Sequence, residues 1–305
     1  MATMTQPKGT TTREKPWHDY YAEAHVLSGE LKRPIEQRIE RQAPVTLDDR
    51  RGGLRTRTAE DVSIEGLVSF KSGVSRVSGS RSLKDNGWVT LSTSIVEGLN
   101  VFEIITAHRV VSQVSTDHPY VDGHVPRVTF IGTQFVNLKV GGFEVTPRLN
   151  LGIFGKKPDG DRSYFDDVNF LKEVRAQTER IAKADGLPKD LKDQYDKRLD
   201  DINRLIKNRN GDGKDKPPRT ITCSLVENIA GEIRIPEAMA FGHVLVVPEF
   251  GALSLGEVVM SEKRYEESER ASLYFETSVI KMNLGCVGDA ALQVATTATN
   301  GHGHP

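Results

Sequence analysis

The chain has 305 residues, with 41 Lys or Arg against 42 Asp or Glu and a formal charge of −1. At 37% hydrophobic and 27% charged residues with two cysteines, it is long enough to bury a large core without disulfide or metal staples. Disordered, collagen-like and cysteine-framework classes are excluded by that composition.

The opening residues MATMTQPKGTTTREKP are polar and Thr-rich and lack the apolar stretch of a secretory signal. Residues 1–19 are expected to be a flexible tail, and on the same ground the location is expected to be cytoplasmic, with leaderless export and a removed leader left open. No window approaches the roughly 18 apolar residues of a membrane span. Trp17, Tyr20 and Tyr21, with Trp88, read either as anchors that pin a first strand or as a stacking platform. The strand-like HVLSGEL at residues 25–31 is a candidate for adding to a neighbour's sheet edge.

Residues 20–155 form a β-rich lobe. Val62, Ile64, Val68 and Phe70 alternate as one strand face, and Val89, Leu91, Thr93 and Ile95 as another, with Asn86-Gly87 between them as a tight hairpin signal. The run at 101–116, VFEIITAHRVVSQVST, has no Gly or Pro and reads as one long strand or two with a bend, and Gly98 is placed for a bulge. Apolar alternation continues through Val128, Phe130, Leu138 and Val140 to a second hairpin at Gly141-Gly142.

Residues 156–216 change character. Val168, Leu171, Val174 and Ile181 fall at helical spacing, as do Leu191, Tyr195, Leu199, Ile202 and Ile206, and Asp185-Gly186-Leu187-Pro188 supplies a helix stop and start. This is an antiparallel helical hairpin over about 164–208 plus a linker, whose narrow apolar stripe covers either a sheet or a partner subunit. Residues 217–296 return to short strands as a second β region packed with the first, and 297–305 are expected to be a mobile tail. The fold class is mainly β: antiparallel sandwich or barrel-like lobes with an inserted α-helical hairpin. Cys223 and Cys286 lie in alternating apolar segments, as two buried thiols or one bridge.

Three stretches, GWVTLSTSIVEGLNVFEIITAHRVV (87–111), VNLKVGGFEV (136–145) and FGHVLVVPEFGALSLGEVV (241–259), resemble uncharacterised bacterial β-rich proteins of unknown function. The resemblance implies an all-β body and no particular activity.

Chemistry-bearing motifs are sparse. His118, Asp122 and His124 sit within one short loop and are the best metal-ligand candidates, although the same residue types build surface turns. The segment Asn208–Gly213 has the alternating oxygens of a calcium loop but Arg219 at its closing position. There is no nucleophile elbow and no phosphate loop, and no cofactor is expected.

Charge is the one uneven feature. Residues 32–57 hold eight basic against four acidic residues, including Arg33, Arg38, Arg41, Arg50, Arg51, Arg55 and Arg57. Residues 220–305 hold five basic against eleven acidic, including Glu257, Glu262, Glu266, Glu267 and Glu269. The basic stretch lacks the interleaved aromatics of a nucleic-acid module, so nucleic acid is not an expected partner, and no membrane span is expected. The reading is a non-enzymatic, self-associating structural or scaffold protein that joins copies of itself through strand edges, tails and these complementary ends. The alternatives are a binding module for carbohydrate, peptide or protein, and a metal-dependent enzyme at His118, Asp122 and His124.

Overall fold

Long runs of alternating apolar residues make long strands. The computed structural model describes residues 17–33, 35–83, 86–120, 125–160, 162–209, 218–231, 233–264, 271–285 and 290–304. The first part of the chain forms β1 (Trp17–Leu31), β2 (Gln37–Ile39), β3 (Val45–Asp49), β4 (Gly53–Ile64), β5 (Val68–Arg81), β6 (Trp88–Val101) and β7 (Ile105–His118). Shorter strands follow: β8 (Arg127–Thr129), β9 (Gln134–Val136), β10 (Lys139–Val140), β11 (Phe143–Glu144) and β12 (Thr146–Leu149). Helices α1 (Val168–Ala182) and α2 (Lys189–Arg209) come next. The chain closes with β13 (Thr220–Ser224), β14 (Val226–Ala230), β15 (Met239–Phe241), β16 (Val244–Val247), β17 (Gly251–Arg264), β18 (Ala271–Leu284) and β19 (Ala290–His304).

All strand pairs among the described residues are antiparallel. One sheet runs β15-β16-β17-β18-β19-β1-β2, with β13 also on β17 and β3 also on β1. The other runs β11-β10-β7-β6-β5-β4, with β8 and β9 also on β7, and β12 pairs with β14 alone. The two large sheets face each other, β1 and β19 lying over β5, β6 and β7. Among the described residues each is open at both ends, so the body is a two-sheet packing and not a closed barrel.

Several local expectations change on this frame. Val62 and Val68 belong to different strands, because Glu65 and Gly66 turn the chain with φ of 51° and 68°. The run at 101–116 is neither one strand nor two with a bend. It starts with a hairpin turn at Phe102-Glu103, both at positive φ, closed by Ile104 N donating to Val101 O at 3.0 Å and Glu103 N to the Asn100 side chain at 2.9 Å. Those bonds stabilise a turn that the residue types disfavour. Residues 25–31 pair with β19 on one side and reach β2 on the other, so this segment lies inside its sheet and not at an edge. Thr297 to His304, expected from the sequence to be a tail, continues β19 along β1 as far as Trp17.

A crease crosses both sheets. The ladders skip Asp61 in β4, Gly98 in β6, Gly256 in β17 and Ala295 in β19, and all four have φ between 49° and 65°. In β6 the buried positions are even from Trp88 to Val96 and odd at Leu99 and Val101. One residue is thus absorbed and the inward face changes parity. On one side of the crease Val26, Phe70, Leu99, Ile105, Leu253 and Ile280 belong to a large apolar core. On the other side the interior is lined by hydroxyls: Ser112 meets Thr297 at 2.7 Å, Thr116 meets Thr299 at 2.9 Å, and Ser94 Oγ donates to His25 O at 2.9 Å. Such short side chains touch across the interface only when the backbones come closer than the ~10 Å usual for stacked sheets. Gly79 marks that approach, since a Cβ there would lie 2.5 Å from the Tyr20 ring.

The helical hairpin forms where its periodicity places it. Asp167 caps α1 by accepting from Asn169 N and Phe170 N, and Gly186 turns the chain at φ 82°. Phe170, Leu171, Val174, Ile202 and Leu205 pack with Ile221, Val258, Met260, Leu273 and Phe275, so the apolar stripe is buried on the chain's own β13, β17 and β18.

Candidate functional site

Three places concentrate polar chemistry. The first is at the end of the sandwich where β1 starts, β6 starts and β7 ends. Trp88 and His118 are cross-strand partners, and alternation brings His18 inward in phase with Tyr20 and Ala22. The rings of His18 and His118 lie 4.7 Å apart, His18 stacks on Trp88 at 5.3 Å, and Tyr20 and Tyr120 complete the wall. His18 and His118 are both almost fully buried, so His118 is an interior residue and not part of a surface turn. Asp122 and His124 lie outside the described residues. Among those described, no three His, Cys, Asp or Glu side chains converge as a metal site. His18 is the residue that reading the loop alone overlooks; its phase with Tyr20, Ala22 and Ala24 was the available signal.

The second place lies between the helical hairpin and the sheet. Arg198 of α2 donates to Glu257 Oε2 at 2.9 Å, and Lys281 of β18 donates to Oε1 at 2.7 Å. Burial pushes the Glu257 carboxyl up, but the two cations outweigh it and hold the group below its ordinary value. Next to this network the Tyr195 hydroxyl meets His243 Nε2 at 2.9 Å, and burial depresses His243 to about 4. Cys223, a free thiol in the same region, is driven above its ordinary value by burial and then by the Glu257 charge, which makes it a poor nucleophile. Glu257, expected from the sequence to belong to an acidic surface, is instead enclosed and spends its charge within the chain.

The third place is β4. It is twelve residues long and ends its sheet, with β5 on one side and no strand paired to the other among the described residues. Nearly all of it is exposed, including Leu54 at 66%. The remaining ends of the two sheet paths, β2, β11 and β15, are two or three residues long, which is the usual way of blunting an edge.

The basic residues divide accordingly. Arg38, Arg41 and Arg50 pair with Glu40, Glu23 and Asp19 at 3.3, 3.6 and 3.0 Å. Arg55 donates to Thr46 O at 2.8 Å. Arg33, Arg51 and Arg57 are exposed. The side chains of Arg57, Glu60 and Asp61, all on β4, form no hydrogen bond or ion pair among the described residues. Of the predicted acidic residues, Glu262 is half-buried, and Glu266, Glu267 and Glu269, like Cys286, lie outside the described residues.

Residues 18–261 match the family described as a domain of unknown function (DUF8256). The chain belongs to this family. The DUF8256 match takes in β4, the imidazole cluster and Glu257, and it stops within β17. No curated protein and no solved structure matches the chain. Among the described residues, no helix is long and apolar enough to cross a membrane.

Proposed function

We propose that the chain is a non-enzymatic, self-associating structural or scaffold protein whose copies meet along β4. The observation that carries this reading is the open edge of β4. A twelve-residue strand with one row of backbone donors and acceptors to which no strand is paired among the described residues is a template for another strand, and main-chain bonds supply affinity when one docks. The unused charges of Arg57, Glu60 and Asp61 add a polar, salt-sensitive rim. Other parts of the molecule favour a rigid building block: long strands, a filled interior between the sheets, and a helical hairpin fixed by apolar packing and by the Arg198–Glu257 bond.

The test is the solution mass of the native, untagged protein by light scattering at low and high salt. The reading expects a defined oligomer that loosens as salt rises. A monomer at every concentration and ionic strength would remove it.

A further inference from the structure

We infer that the partner of β4 is β4 of a second copy, running antiparallel about a two-fold axis at Thr58. This rests on the self-association reading and names the surface through which it acts. The strand and its flanking residues read as two halves of opposite charge. Arg51, Arg55 and Arg57 precede Thr58, and Glu60, Asp61 and Glu65 follow it. All six are exposed. Antiparallel pairing of two such strands lays the basic half of each along the acidic half of the other, whereas parallel pairing in register sets like charges side by side, which is destabilising.

The register follows from symmetry. A two-fold axis perpendicular to the sheet maps each face of the strand onto itself, so directly opposed residues come from the same face and the axis lies midway between the two copies of one residue. An axis at Arg57 would oppose Arg57 to itself, and one at Thr56 would oppose Arg55 to Arg57. An axis at Ala59 leaves little straight strand before the crease at Asp61, whose φ is 49°. At Thr58 the threonine meets its own copy, Thr56 meets Glu60, and Arg55 comes level with Asp61. Opposed threonines are a favourable cross-strand pair.

This arrangement also closes. Among its described residues each copy offers one long edge at the end of a sheet path, and an isologous contact uses it up, so the product is a dimer with one continuous sheet and not an open fibre. The crease at Asp61 and the charges to either side discourage pairing in other registers.

Two variants of the full chain, both in a Cys286→Ser background, test the geometry. Thr58→Cys is expected to form a disulfide-linked dimer under mild oxidation about tenfold faster than Thr56→Cys, because bridging needs Cα atoms within about 7 Å. The double variant Arg55→Glu with Arg57→Glu makes the strand acidic throughout and is expected to weaken the dimer at least tenfold at low salt, with an unchanged circular dichroism spectrum. If wild-type protein is dimeric but Thr58→Cys crosslinks no faster than Thr56→Cys and the double variant dimerises normally, the β4 pairing is wrong while self-association stands. If wild-type protein is monomeric, self-association itself fails.

Discussion

The two flanks of the β6–β7 region are finished in opposite ways. On the β7 side the facing sheet continues as β18, β17 and β13, and the helical hairpin covers it with an apolar layer of Phe170, Leu171, Val174 and Ile202. The buried charge there is satisfied inside the chain, Glu257 being held between Arg198 and Lys281. On the β5 side the sheet stops at β4, to whose outer edge no strand is paired among the described residues. Charges on this flank are exposed, and those of Arg57, Glu60 and Asp61 are left without a partner among the described residues. The contrast separates two uses of charge: the buried charge of Glu257 fixes the helical hairpin to the sheet, and the exposed charges of β4 line an edge with no strand paired to it among the described residues.

If the closed flank is a structural lock, its disruption should be the most damaging change. Glu257→Ala leaves the cations of Arg198 and Lys281 without their carboxylate, and removing one partner of a buried pair costs about 3–5 kcal/mol. Lys281 is partly exposed, which places the expected loss near the lower figure. Urea unfolding should show it, and the oligomeric state of the folded fraction should not change.

Acid should strain the closed flank at His243 and the first strand at His25. Burial holds His25 and His243 neutral down to about 4, with the Arg41 charge adding at His25. The unfolded chain binds those protons from about pH 6.5. Their contribution is therefore fully present above pH 6.5 and is lost as the pH falls towards 4, at about 1.4 kcal/mol per group for each pH unit. Unfolding free energies measured at pH 7.5, 6, 5 and 4 should decline through that window. A flat profile would show that neither ring is enclosed as described.

The hydroxyl-lined half of the interior lies between the flanks and should respond weakly. Thr299→Val removes one partner of the Thr116–Thr299 bond and is expected to cost about 1 kcal/mol. Thr277→Val replaces a buried hydroxyl that has no hydrogen-bond partner among the described residues, and it should be neutral or slightly stabilising. Thermal melts of the pair compare the two directly. Smallest of all should be the effect of Arg55→Glu with Arg57→Glu on the stability of the single chain, because surface substitutions of this kind stay within about 0.5 kcal/mol, while the mass of the assembly changes.

Much of the fold was legible because its signals are local. Gly141-Gly142 and Gly186 mark turns through residues that accept positive φ, and both positions are turns in the structure. Asn86-Gly87, by contrast, is not a two-residue hairpin but the end of the longer connection from Arg81 to Trp88, with Asn86 at φ 57° and Ser82 N donating to Gly87 O at 2.8 Å. The helical hairpin followed from a change of period. The turn at Phe102-Glu103 was not legible, since its residue types do not favour positive φ and the bonds that stabilise it come from the fold. The interior place of residues 25–31 depends on pairing with β19, a contact far along the chain that no local pattern contains. Glu257 was misplaced for the same reason: its partner Arg198 is 59 residues away in the insert. Of the proposed contact, the basic stretch overlaps β4 at Arg55 and Arg57, but only the sheet order places β4 at the end of its path among the described residues.

The most direct test of the difference between the flanks is hydrogen exchange on the native protein at low and high concentration. The account predicts that amides within residues 53–64 gain protection as concentration rises, while those of residues 168–209 exchange alike at both. Concentration-dependent protection in the helical hairpin, or none in β4, would contradict it.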